Sequence, residues 1–157
     1  MIYNTYDSPF GKIILTCDGE NLTEVFFEGQ KYADQYLSDA AFGTATVLAR
    51  TKDWLNQYFQ GNIPESLPPV KLDGTVFQKR VWNLLLDIPY GKTVTYGDLA
   101  KLLGCRSAQA VGNAVGRNPI SILIPCHRVI GAGGKLTGYA GGVDKKAALL
   151  RIEKIIK

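Results

Sequence analysis

Thr95-Tyr96-Gly97-Asp98-Leu99-Ala100-Lys101-Leu102-Leu103-Gly104-Cys105-Arg106-Ser107-Ala108-Gln109-Ala110-Val111-Gly112-Asn113-Ala114-Val115-Gly116 is the stretch that decides how this 157-residue chain is built. Thr95 stands where it can cap a short helix, Tyr96 to Leu103, carrying Leu99, Ala100 and Leu102 inward. Gly104 suits the left-handed position that stops a helix, and Ser107 can cap a second one from Ala108 to about Gly116. Two short helices joined by a tight turn with glycine make a helix-turn-helix. The second helix is nearly bare of bulk, with Ala108, Ala110, Gly112, Ala114 and Gly116 recurring along it. A major-groove reader carries several long polar side chains for base edges. A smooth helix fits close against the minor groove instead, where little sequence is read.

Outward from this pair, Thr75 and Gln78 fit a capping box at the start of another helix. Phe77, Val81, Leu84, Leu85 and Ile88 form its apolar stripe, and Pro89-Tyr90-Gly91 ends it. Downstream lies Ile124-Pro125-Cys126-His127-Arg128-Val129, followed by a glycine-rich loop through Gly142. Pro125 fixes its own φ and withholds a backbone donor, so this run is neither helix interior nor central strand. A cysteine among apolar residues is ordinarily a small buried hydrophobe. Here the chain's single histidine stands beside it. The thiolate is the reactive form, and it needs a base, a cation or a helix N-terminus to appear. Adjacent side chains on a turn need not face each other, which leaves room for a bridging water or for a carboxylate that orients the imidazole.

Charge divides the chain. Residues 1–70 carry four Lys/Arg against nine Asp/Glu, a net of −5, whereas residues 71–157 carry fourteen against five, a net of +9. A basic half of this strength points to a polyanion, with nucleic acid first. The three cysteines (Cys17, Cys105, Cys126) are odd in number and far apart, which argues against a disulfide framework. One histidine and no Cys-x-x-Cys pair leave little for zinc. No apolar run has membrane-spanning length and the first residues lack a basic signal head, so a soluble, cytoplasmic protein is expected.

Toward the N-terminus, Ile2–Tyr6, Gly11–Cys17 and Leu22–Phe27 read as strands separated by turn residues, an antiparallel meander. Helical spacing follows between Thr44 and Gln60, with Val47, Leu48, Thr51, Trp54, Leu55, Tyr58 and Phe59 on one stripe. The proline-rich stretch at about 61–70 reads as a linker, dividing the chain into domains 1–70 and 71–157. No catalytic constellation precedes residue 70.

From Thr75 to Glu153 the chain resembles the O6-alkylguanine-DNA alkyltransferases, also called methylated-DNA–protein-cysteine methyltransferases. The motifs are Gly74-Thr75-Val76-Phe77-Gln78, Ile88-Pro89-Tyr90-Gly91, Thr95-Tyr96-Gly97-Asp98-Leu99-Ala100, Ala110-Val111-Gly112-Asn113-Ala114, Arg117-Asn118-Pro119, Ile124 to Val129, and Thr137-Gly138-Tyr139-Ala140-Gly141-Gly142. They occur in family order over about half the chain. The resemblance implies an α+β protein (α/β). A small ribonuclease-H-like domain around an antiparallel sheet would precede a mostly helical domain with the helix-turn-helix.

It also implies direct, single-turnover repair of double-stranded DNA containing O6-alkylguanine, and of O4-alkylthymine, by a monomer without cofactor or metal. Cys126 is then the nucleophile, His127 its base, Glu153 on a helix Asp144–Lys154 the carboxylate orienting that base, and Tyr96 the donor to a flipped guanine. The implied pocket comprises Val129, Tyr139, Ala140, Gly141 and Asn118, the last as a structural Asn-Pro step. Arg106, Ser107, Gln109, Ala110, Gly112, Asn113, Arg117 and Arg128 would face DNA. One residue departs from the family pattern. Gln109 stands where an arginine typically fills the gap left by the flipped base, and it lacks both the cation and the planar stacking fork.

Three other readings fit less well. A recognition protein that flags alkylguanine without repairing it would lack the nucleophile that Cys126 supplies. A papain-like peptidase brings its histidine from far along the chain. A transcriptional regulator would need base-reading side chains on the bare helix.

Overall fold

A computed structural model describes residues 1–30, 33, 37 and 39–157. It divides into two compact units, Met1–Leu72 with Pro119–Leu123, and Asp73–Asn118 with Ile124–Lys157.

In the first unit, β1 (Ile2–Ser8), β2 (Gly11–Cys17) and β3 (Leu22–Phe27) form the antiparallel meander. A two-residue strand, β4 (Ala41–Phe42), joins β1 in parallel and gives the order β3-β2-β1-β4. Because paired residues share a face, the register Asn4↔Leu15↔Val25 and Tyr6↔Ile13↔Phe27 sets one side of the sheet. Helix α1 (Thr46–Phe59) covers that side: Tyr6 stacks on Phe59, its hydroxyl donates to Asn56, and the Lys52 ammonium donates to Asn4. Ile14 and Phe26, on the other side, pack with Ala33, Tyr3 and Leu37. Central β2 is buried from Ile13 to Cys17 as a result. Of the expected α1 stripe, Val47, Leu48, Thr51, Leu55 and Tyr58 are buried, while Trp54 and Phe59 are half-buried at its margin.

The proline-rich stretch is tied down along its length. Arg50 donates to Ser66 Oγ and to the Leu67 carbonyl, and Leu22 exchanges backbone hydrogen bonds with Pro69 and Lys71. Pro119–Leu123 pairs with β3 further along, where Val25 donates to Pro119 O and accepts from Ser121 N. Within it Ile122 has φ +72°, and Leu123 N–H reaches back to Ser121 C=O. That is a γ-turn of the rarer, strained hand, on a β-branched residue.

The second unit is helical, as its spacing predicts. Helix α2 (Val76–Leu86) opens with a complete Thr75/Gln78 capping box, and α3 (Tyr96–Leu103) with one formed by Thr95 and Asp98. Ser107 caps α4 (Ala108–Gly116), and Gly104 has φ +64° between the two. Three inward assignments need correction. Leu102 is 69% exposed and Leu103 is buried in its place, and Trp82 supplies buried bulk to α2 where Phe77 and Leu84 are half-buried. The Trp82 indole donates to the Ala114 carbonyl at 2.8 Å, so a small residue on α4 also makes room for α2. Two short parallel strands, β5 (Val94–Thr95) and β6 (Val129–Ile130), tie the start of α3 to the end of the Cys126 turn. Helix α5 (Val143–Ile152) closes the chain.

No described helix is long and apolar enough to cross a membrane.

Candidate active site and nucleic-acid face

The turn carrying Cys126 is built from backbone constraints. Pro125 has φ −81° and ψ 65°, and Cys126 N–H bonds Ile124 C=O across it. A single turn of 3-10 helix then runs Cys126–Arg128, closed by Arg128 N–H to Pro125 C=O. With three residues per turn, the side chains of Cys126, His127 and Arg128 fan out in three directions. All three are buried.

Cys126 is 7% exposed. Burial pushes its thiol pKa up, against the opposing pull of a hydrogen bond from Asn118, the charge of Lys146 and the backbone N–H groups of Cys126 and His127. The resting group is therefore the thiol. Asn118 also donates to the Ile124 carbonyl at 2.8 Å, fixing both ends of the turn. The family-implied structural role of this Asn-Pro step thus gains a contact at the sulfur.

His127 Nε2 lies 2.5 Å from Glu153 Oε2, both side chains being fully buried. Against an ionised carboxylate Nε2 is the donor, which makes Nδ1 the basic nitrogen. Burial pulls the His127 pKa down, outweighing the attraction of Glu153. Glu153 is not inside a helix running to Lys154, because α5 stops at Ile152 and Glu153 is its C-cap. Lys154 follows at φ +62°, and this sharp stop leaves the Glu153 carboxylate in the interior, 3% exposed. Gly91, at φ +80°, donates its N–H to Glu153 Oε1 at 3.0 Å. The Pro89-Tyr90-Gly91 stop therefore also orients the carboxylate.

Tyr96 begins α3, and its hydroxyl donates to the Thr137 carbonyl at 3.3 Å. Burial raises its pKa, and Cys126 adds to the rise. The loop holding Thr137 carries Tyr139, Ala140 and Gly141, all half-buried, with a Tyr139–Gly142 backbone turn. Gly138 lies at φ +50°, and a Cβ there would stand 3.9 Å from the Tyr96 hydroxyl. Val129 is fully buried on β6.

Sequence reasoning missed Lys146. This lysine is 0% exposed, donates to the same Thr137 carbonyl at 2.7 Å and sits 5.9 Å from the centre of the Tyr96 ring. Burial brings its pKa down to about 8, opposed by Cys126, whose thiolate form would hold the ammonium charged. The signal was present, because Lys146 precedes Leu149 and Leu150 by three and four residues and so shares their buried stripe.

The residues expected to face DNA separate into two groups. Arg106, Ser107, Gln109, Asn113 and Arg117 are exposed on the helix-turn-helix, and Ala110 and Gly112 are half-buried there. Arg128 is not exposed with them. It is 8% exposed, its Nε donates to Glu153 Oε1 at 2.8 Å and its Nη1 to the Ile88 carbonyl at 2.7 Å. The 3-10 geometry turns it inward, so its place among DNA-binding residues is corrected. Among the described residues no group of three or more His, Cys, Asp or Glu could hold a metal.

Residues 76–155 match the family model for the 6-O-methylguanine DNA methyltransferase DNA-binding domain, and residues 1–73 match that of its ribonuclease-like domain. The chain is 46% identical over 156 residues to the methylated-DNA–protein-cysteine methyltransferase of Mycobacterium tuberculosis, covering 97% of this chain and 92% of that one. It is 44% identical over 155 residues to the enzyme of the same name from Methanosarcina acetivorans, covering 98% of each. A crystal structure of Mycobacterium tuberculosis OGT in complex with DNA superposes with a TM-score of 0.90 at 45% identity, covering 98% of this chain and 93% of that one. The Cys126 turn, backed by a buried histidine and carboxylate and with a helix-turn-helix in the same unit, therefore comes with both family domains end to end: this chain belongs to the 6-O-methylguanine DNA methyltransferase family.

Proposed function

We propose that this chain repairs DNA by moving the alkyl group of O6-alkylguanine, and of O4-alkylthymine, onto Cys126. The observation that carries the reading is the buried Cys126–His127–Glu153 turn, in which each group's position is fixed by backbone as well as side chain. The Cys126 thiol passes its proton through a bridging water to His127 Nδ1, and Glu153 holds the imidazole in that tautomer. The sulfur attacks the alkyl carbon, so an S–C bond forms as the C–O6 bond breaks. The departing guanine takes a proton as it leaves, with Tyr96 as the hydrogen-bond donor to the base. In balance, thiol and alkylguanine become thioether and guanine. A thioether does not hydrolyse, so each molecule acts once.

Lys146 supports the step from the other side. A buried cation near the thiol favours the developing thiolate and holds the loop carbonyl that Tyr96 also uses. The bare helix α4 enters the minor groove, and the target base leaves the stack for a pocket lined by Val129, Tyr139, Ala140 and Gly141. Gln109 occupies the gap. Residues 71–157 carry both DNA binding and transfer as a monomer, and residues 1–70 form the accompanying domain. With genomic DNA as the substrate, the protein works in the cytoplasm.

The test uses a duplex labelled on the methyl group of O6-methylguanine. The label moves to the wild-type protein, whereas Cys126→Ala binds the duplex without becoming labelled. Label transfer to Cys126→Ala would refute the assignment.

A further inference from the structure

Arg128 has no part in the reaction as described above, yet its charge is buried beside the base. A carboxylate touching an imidazole favours the cation and burial disfavours it, so the balance turns on how much of the carboxylate's charge is engaged elsewhere. Here the carboxylate is already engaged: Glu153 Oε1 accepts from Arg128 Nε at 2.8 Å and from Gly91 N at 3.0 Å, while Oε2 meets His127. Arg128 is itself locked, by the Ile88 carbonyl at 2.7 Å and by the Tyr90 ring 5.7 Å below its guanidinium carbon. We propose that Arg128 is a positioning residue that neutralises Glu153 and thereby keeps His127 in the neutral, proton-accepting form.

The charge inventory supports this. The ionised groups facing His127 are Glu153, Arg128 and Lys146, and its own turn adds the Cys126 thiol. Tyr90 faces Glu153 and Arg128 and stays protonated, since burial and the carboxylate both raise its pKa. One buried anion therefore stands against two cations before His127 takes a proton. An imidazolium would be a third cation sharing one carboxylate. Burial does most to pull the His127 pKa down, and Arg128 and Lys146 add to it, in line with that geometry. A proton accepted from the thiol is then held loosely and passed on.

The inference rests on His127 being the base, and the two claims fail separately in one experiment. The chain has a single histidine, so NMR of its ring nitrogens follows His127 alone through a pH titration. In Arg128→Gln the protonation midpoint rises by about one unit or more, about tenfold more imidazolium at a given pH. Arg128→Lys keeps the charge and stays close to wild type. The acid limb of the alkyl-transfer rate moves with the midpoint, while the salt dependence of duplex binding does not change. An unchanged midpoint in folded Arg128→Gln overturns the inference, whatever happens to the rate. A shifted midpoint with an unmoved rate profile upholds it and refutes His127 as the base. Should Arg128→Gln fail to fold, Arg128→Met serves in its place, with the same rise expected and an unchanged midpoint overturning the inference.

Discussion

Replacing Lys146 with methionine should raise the stability of this protein while slowing its chemistry. Lys146 is fully buried, and burial lowers its pKa from 10.5 to about 8. At about 1.4 kcal/mol per pKa unit, that fall means the fold disfavours the charged ammonium by about 3 kcal/mol at neutral pH. Methionine has a similar reach and no charge to desolvate. It forfeits the bond to the Thr137 carbonyl and the contact with the Tyr96 ring, together about 2 kcal/mol. The net is a gain of about 1 kcal/mol at pH 7, or about 3 °C in Tm.

The pH dependence carries the sign. Below about 8 both folded and unfolded chains hold the proton, and the burden of the buried charge is present in full. Between about 8 and 10.5 only the unfolded chain binds it, so wild-type stability rises with pH through that window. The variant has nothing to titrate at this position, and its advantage shrinks and then reverses. Alkyl transfer meanwhile falls about tenfold or more, because the cation facing the thiol is gone. Urea unfolding at intervals from pH 7 to 10, with single-turnover rates at pH 7, checks each part. A variant that is less stable than wild type at pH 7, by an amount independent of pH, would refute the reasoning.

Tyr96→Phe should slow transfer about 10- to 100-fold with little loss of duplex affinity, measured by single-turnover kinetics beside a binding titration. Equal losses in both would make Tyr96 a DNA-positioning residue. Gln109→Arg should raise the transfer rate on duplex DNA and leave the rate on a free alkylguanine base unchanged. An unchanged duplex rate would mean that another group already fills the gap. Arg106→Gln, on the exposed turn between α3 and α4, should weaken binding to all sequences alike. It should lower the slope of log affinity against log salt by about 1, and an unaltered slope would remove Arg106 from the phosphate contacts.

The sequence was most legible where structure is set by neighbours along the chain. Thr75, Thr95, Ser107 and Gly104 act through local backbone hydrogen bonds, and each terminates its helix as read. The three long strands announce themselves by β-branched runs between turn residues. Parallel pairings of two residues, β1 with β4 and β5 with β6, carry no such pattern, because their partners lie far apart in sequence. Leu102 and Leu103 differ by a single step around a helix, so apolar character alone could not say which one turns inward. Glu153 became a site residue only through resemblance, since nothing local distinguishes its interior carboxylate from a surface charge. The resemblance sets Arg128 among the DNA contacts, and only the 3-10 turn reveals that it points at Glu153. Lys146 could have been found from its place on the stripe of Leu149 and Leu150.

Intact mass followed by peptide mapping, after incubation with a duplex containing O6-methylguanine, tests transfer to Cys126 most directly. One added methyl per molecule is predicted, confined to the peptide that holds Cys126. An unchanged mass in a protein that binds the damaged duplex, or a methyl found at Cys17 or Cys105, would contradict it.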